Sequence, residues 1–173
     1  MSLMEVKRLR ETTSLGINDC KKALEEAEGD FDKALQSLKK KGIQVAKKKG
    51  GRVASQGLIE AYVHFAGNLG AIVEVNCETD FVARTDIFKK FVKDIAMQVV
   101  AANPKYIKKQ DIPQGELANL ENVDVFVKES CLLEQTFIKN SSITIEEYLQ
   151  DVIAQCGENI LIKRFTHFSL GEG

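Results

Sequence analysis

Apolar positions recur at helical spacing through the first forty or so residues, alternate with polar ones between Leu58 and Cys77, and return to helical spacing from Thr85 onward. In the first segment Val6 and Leu9 define one short helix. After Thr12-Thr13-Ser14-Leu15-Gly16 a second helix is expected, with Asn18 as its cap and Ile17 as a staple ahead of it. That places Cys20, Ala23, Leu24 and Ala27 on one face. Gly29 ends it. Asp30 then caps a third helix with the stripe Phe31, Ala34, Leu35 and Leu38, which Gly42 is expected to close after a lysine-rich last turn. These helices predict a bundle over residues 1–46, with a core small enough to need support from a partner or from the rest of the chain.

The run Lys47-Lys48-Lys49-Gly50-Gly51-Arg52 combines charge with paired glycines and marks a basic linker over 47–56, ahead of a second domain at 57–173. There, Ile59, Ala61, Val63 and Phe65 alternate with Glu60, Tyr62 and His64, and Ala71, Val73, Val75 and Cys77 alternate with Ile72, Glu74 and Asn76. Ala66-Gly67-Asn68 lies between the two runs, so they read as an antiparallel hairpin. Phe88, Phe91, Val92, Ile95 and Val99 share one side of a helix that Asn103-Pro104 stops. Further helices are expected from Val123 to about Phe137 and from Ile145 to Cys156, the latter behind a Thr144/Glu147 capping box and ended by Gly157. Ile160 to Phe168, rich in β-branched and aromatic residues, is expected to return as a strand beside the hairpin. The fold class is therefore α+β, a three-helix N-terminal bundle followed by an antiparallel sheet covered by helices.

Composition excludes more than it assigns. Lys plus Arg number 24 against 25 for Asp plus Glu, a balance that points to neither a nucleic-acid partner nor an acidic shell. Lys39, Lys40, Lys41, Lys47, Lys48, Lys49 and Arg52 form a local basic run, yet no aromatic residue interleaves with them to stack bases. A solvated linker is favoured over direct nucleic-acid contact. No apolar stretch approaches the ~20 residues that span a bilayer, and the start lacks the apolar region of a signal peptide, so a cytoplasmic protein without a membrane partner is expected. The doubled start Met1-Ser2-Leu3-Met4 reads as a cloning remnant ahead of Met4. Cys20, Cys77, Cys131 and Cys156 form no CxxC pair and are expected to be reduced and mostly buried. There is no GxxxxGK[ST], GxGxxG or HExxH, and His64 and His167 have no identifiable orienting partner for a nucleophile. No catalytic residue, metal site or cofactor is assigned, and an enzyme is the least supported class.

One junction carries the remaining information. In Asn76-Cys77-Glu78-Thr79-Asp80-Phe81-Val82-Ala83 an apolar strand stops and a Phe follows Asp at the entrance to a helix that Thr79 or Asp80 can cap. Pattern alone favours Phe81 as core filler. The alternative is a projecting wedge, because Phe88 and Phe91 already supply aromatics to the helix core.

Glu74-Val75 leading into this junction, together with Val6-Lys7-Arg8-Leu9-Arg10-Glu11-Thr12-Thr13 and Asp19-Cys20-Lys21-Lys22-Ala23-Leu24, resembles bacterial translation elongation factor Ts. So does the end of the chain, with Gly157-Glu158-Asn159-Ile160, Arg164-Phe165 and Leu170-Gly171-Glu172-Gly173. With one hairpin motif and one closing strand, it resembles a short, single-core form. The resemblance implies a ubiquitin-associated-like bundle followed by an α+β core, or dimerisation, domain. It implies a guanine nucleotide exchange factor, not an enzyme, that promotes GDP release from elongation factor Tu. Thr79, Asp80, Phe81 and Val82 would enter the partner's G domain and dislodge magnesium, with nucleotide and metal both belonging to the partner. Arg10, Ile17, Asn18 and Lys21 would be the bundle's contact residues, Asn18 remaining open between contact and cap. Elongation factor Tu, GDP-bound or nucleotide-free, is the implied partner. A homodimer is implied as well, its symmetric contact covering the sheet or the acidic helical surface.

Overall fold

The computed structural model describes residues 3–13, 15–118 and 120–172. Met1 and Ser2 of the doubled start, Ser14, Asn119 and Gly173 lie outside the described residues. Helices α1 (Leu3–Thr13), α2 (Ile17–Glu26) and α3 (Phe31–Lys49) come first. Strands β1 (Gln56–Val63) and β2 (Leu69–Cys77), the single-turn α4 (Asp80–Ala83) and the long α5 (Asp86–Ala102) follow. The chain continues through α6 (Gln114–Leu117), α7 (Val123–Ser130), β3 (Thr136–Phe137), β4 (Asn140–Thr144), α8 (Ile145–Cys156) and β5 (Ile160–Ser169).

Val6, Leu9, Cys20, Ala23, Leu24, Ala34 and Leu38 close the small core of the N-terminal bundle. Two details differ from expectation there. Gly16, not Asn18, is the N-cap of α2: its backbone is extended and its carbonyl accepts from the Cys20 N–H at 3.1 Å. Asn18 therefore sits inside the first turn and does not cap the helix, while Ile17 is its first residue and 52% exposed. The second difference is that α3 runs straight through Gly42 to Lys49. Gly42 is buried beside Ala154, so its missing side chain serves the approach of α3 to α8 and not a helix stop. Past it, Ala46 packs on the main core, Gln155 Nε2 donates to the Thr13 carbonyl at 3.4 Å, and Lys49 Nζ donates to the Gly157 carbonyl. The bundle thus gains the outside support that its small core requires.

The main sheet is antiparallel in the order β1-β2-β5. Ala71, Val73, Val75 and Cys77 point inward from central β2 and meet Phe88, Phe91, Val92, Ile95, Ala96 and Val99 of α5. Strand β1 turns Leu58, Glu60 and Tyr62 to the helical side, half-buried, and leaves its more apolar set outside: Ile59 is 67% and Val63 65% exposed. Gly57 fits where no other residue does. At φ +148, a Cβ there would lie 2.1 Å from the Val75 carbonyl oxygen.

The helix expected to run to Phe137 ends at Ser130, because Cys131 becomes extended and bridges Tyr106. A short 3-10 turn and the β3–β4 hairpin occupy the rest, held by polar groups of α5. Buried Gln98 donates to Gln135 Oε1 and the Thr136 carbonyl, both at 3.2 Å, and accepts from the Ile138 N–H at 2.9 Å. Asp94, also buried, accepts from Lys139 at 2.7 Å, Lys90 at 2.8 Å and the Tyr148 hydroxyl at 2.9 Å.

Burial pushes the Asp94 carboxyl upward, but hydrogen bonds from Lys139, Lys90 and Tyr148 outweigh it and hold the group below its usual range. A lowered folded-state value means that the stabilisation is fully present above the unfolded value of ~3.9 and is lost as pH falls through the folded one. Asp94→Asn is expected to cost ~1–3 kcal/mol at pH 7. It should also flatten the fall in stability below about pH 4, which thermal unfolding across a pH series measures.

Candidate functional site

β2 ends at fully buried Cys77, whose thiol donates to the Thr79 carbonyl at 3.1 Å. Burial first, and then the nearby Glu158 charge, push this thiol up to about 11. It stays protonated at neutral pH and is no nucleophile. The chain then swings through Glu78 and Thr79 into α4. Thr79 is extended and is the N-cap, its Oγ1 accepting from the Val82 N–H at 3.4 Å. Thr85 caps the next helix by accepting from the Phe88 N–H at 3.3 Å, so one turn of helix is all that separates the strand end from α5.

This short connection decides the open question about Phe81. Ala83 is buried and Val82 packs partly on the core, whereas Phe81 is 79% exposed. The aromatic space beneath is already filled by Phe88 and Phe91, both fully buried, so the core reading is excluded. Asp80 pairs with Arg84 at 2.9 Å, an exposed contact one turn along that fixes orientation more than it adds stability.

The turn is gripped from the entrance of the neighbouring strand β5. Gly157, at φ 70, ends α8 and directs Glu158 back toward β2. One Glu158 oxygen accepts from the backbone N–H groups of Glu78 at 3.1 Å and Thr79 at 3.0 Å, and the other accepts from the Thr79 hydroxyl at 2.6 Å. In return, Glu78 accepts from the Asn159 N–H at 2.6 Å and lies 3.5 Å from Arg52. Asn159 Nδ2 donates to the Arg52 carbonyl at 2.8 Å. The segment between α3 and β1, the end of β2 and the α8–β5 junction therefore meet behind Phe81.

Thr79, Asp80, Phe81 and Val82 thus occur as one presented turn. Arg10, Ile17, Asn18 and Lys21 are exposed on α1 and α2, with Lys21 loosely paired to Glu25 at 3.9 Å. Glu158, Asn159 and Arg52 were not identified as site residues from the sequence, because nothing in their local pattern points to a contact some eighty or more residues away. Among the described residues no cluster of three or more His, Cys, Asp and Glu side chains could hold a metal ion.

Residues 7–125 match the family described as Elongation factor TS. The chain is 49% identical to Elongation factor Ts of Carboxydothermus hydrogenoformans, over 97% of this chain and 88% of that protein. It belongs to the elongation factor Ts family. Elongation factor Ts of a Thermoanaerobacter species is 47% identical over the whole chain and 96% of its own length, and that of Moorella thermoacetica is 42% identical over 98% and 95%. The Thermoanaerobacter alignment runs over 196 positions against the 173 residues here, so this elongation factor Ts chain is internally shorter than that relative.

The exposure of Phe81 makes a stability prediction. Phe81→Ala should leave the melting temperature within about 2 °C of the parent, whereas Phe88→Ala, at a fully buried site, should lose ~3–5 kcal/mol and melt roughly 6–20 °C lower. Calorimetry on the two variants checks it.

Proposed function

We propose that this chain is a guanine nucleotide exchange factor that promotes GDP release from elongation factor Tu during translation elongation. The Thr79-Asp80-Phe81-Val82 turn enters the partner's G domain and dislodges magnesium, with no bond made or broken. The observation that carries this reading is Phe81, 79% exposed on a capped turn at the end of a rigid strand. Membership of the elongation factor Ts family supports it.

The mechanism is linkage. A protein that binds nucleotide-free partner more tightly than the GDP-bound form weakens GDP binding by the same factor. Burying one Phe side chain in the partner supplies ~1.5–3 kcal/mol, or roughly ten- to 150-fold. Displacing magnesium removes the charge that neutralises the diphosphate. Phe81 contributes mechanically and the metal effect is electrostatic. Arg10, Ile17, Asn18 and Lys21 form the second contact, a reading supported by their exposure and by Gly16 taking over the capping of α2. In functional terms we divide the chain into a ubiquitin-associated-like bundle at 1–46, a linker at 47–56, whose first three residues continue α3 and whose last opens β1, and the core at 57–173. The site of action is the cytoplasm; no helix among the described residues is long and apolar enough to cross a membrane.

The core works as a homodimer. Ile59, Ala61, Val63, Ile72 and Phe168 leave the outer face of the sheet apolar and exposed. Glu74 and Arg164 on that face pair with each other at 2.6 Å, so it presents little net charge to a second copy. Two such faces stacked about a two-fold axis make a self-complementary contact of the kind that buries one sheet on another.

Release of labelled GDP from elongation factor Tu tests the exchange reading. The parent should accelerate it, and Phe81→Ala should lower the acceleration by ~10-fold or more while remaining folded. Equal acceleration by both proteins overturns the wedge role, and none by the parent overturns the exchange reading. Sedimentation should give a dimer that Phe168→Asp converts to monomer; a monomeric parent rejects the dimer.

A further inference from the structure

We propose that Glu158 is a positioning residue for exchange: by orienting the Thr79 hydroxyl, it fixes α4 in the conformation that presents Phe81. This rests on the exchange reading above.

A helix of four residues, Asp80–Ala83, cannot hold itself, because nucleation is unfavourable and a single turn returns too few hydrogen bonds. Its conformation has to be imposed from outside. Thr79 imposes it through the cap on the Val82 N–H, but a threonine hydroxyl rotates and can spend its proton or its lone pairs in several directions. Glu158 removes that freedom. With the single hydroxyl proton donated to Glu158 at 2.6 Å, the oxygen keeps lone pairs only for acceptance, and one is directed at Val82. The same carboxylate collects the N–H groups of Glu78 and Thr79, which lie just beyond the last pair of the β2–β5 ladder, Cys77 with Ile160. Hydrogen bonds to an ionised acceptor are the stronger kind.

Glu158 is itself fixed on both sides. Gly157 caps α8 before it, and Ile160 enters the sheet two residues after it. The flanking Glu78–Asn159 and Asn159–Arg52 bonds close the same junction. The grip is built on a helix end and a strand start, so the turn inherits the rigidity of the core. None of these contacts uses the side chain of Phe81, which stays exposed, or that of Asp80, which pairs with exposed Arg84.

Loss of a positioning group lowers the fraction of molecules with a competent turn. The apparent affinity for the partner falls by that fraction, while the maximal release rate of the assembled complex is retained. A general loss of structure does not give this split.

The test uses the full chain with Glu158→Ala, Glu158→Gln, Thr79→Val and Thr79→Ser, read by amide hydrogen exchange and by GDP release titrated with elongation factor Tu. For Glu158→Ala, exchange at the Thr79 and Val82 amides should accelerate by ~10-fold or more, with Val73 and Val75 unchanged. The partner concentration for half-maximal release should rise by a similar factor, with the maximal rate kept within about twofold. Thr79→Val, which removes the hydroxyl but keeps the backbone N–H of position 79 on Glu158, should accelerate exchange at the Val82 amide, and Thr79→Ser, which keeps the hydroxyl, should retain the slow Val82 exchange of the parent. Glu158→Gln, which keeps an acceptor for the backbone but offers N–H to the hydroxyl, should fall between. Unchanged Thr79 and Val82 exchange in Glu158→Ala, or equal acceleration throughout the sheet, overturns the proposal. If the parent itself fails to accelerate GDP release, the exchange reading falls and the positioning role in exchange falls with it. The amide measurement then still reports whether Glu158 orders the turn.

Discussion

The packing of α5 against the inner face of β2 is the constraint on which the rest of the molecule depends. β2 is central, paired on both sides, and Val73, Val75 and Cys77 are fully buried beneath Phe88, Phe91, Ile95 and Val99. A strand and a helix joined this closely must be connected by a tight turn at the end of the sheet. Two buried phenylalanines fill the space that a third could have entered. Phe81 is thus outside because the core is complete without it, and the proposed wedge role makes use of that exposure.

The same helix organises what lies on its other side. Asp94 and Gln98 are buried polar residues on α5, and their hydrogen bonds hold the β3–β4 hairpin and Tyr148 of α8 in place. With α8 so placed, Gly42 and Ala154 set the approach of α3, which carries the bundle, and Gly157 sets the direction of Glu158. Bundle, core and presented turn are connected through α8.

Elements specified by their own residues were legible in the sequence. The hairpin alternation, α5 with its stop at Asn103, and α8 with its Thr144/Glu147 capping box all formed close to where the pattern put them. What could not be read depends on contacts remote in sequence. Gly42 looks like a helix stop until Ala154 is beside it, and β3 is too short to show a period, being held by side chains from α5. The outward apolar set of β1 has the same alternation as an inward one, and only pairing with β2 decides its side. Thr79 was legible as a cap, but neither the exposure of Phe81 nor the grip of Glu158 has a local signature.

The central claim is that Phe81 meets the partner directly. A photo-crosslinking phenylalanine analogue placed at position 81 and mixed with nucleotide-free elongation factor Tu tests it without depending on rates. The account predicts a crosslink to the partner's G domain that weakens as GDP and magnesium are added. Crosslinks confined to this chain, or to another domain of the partner, would contradict it.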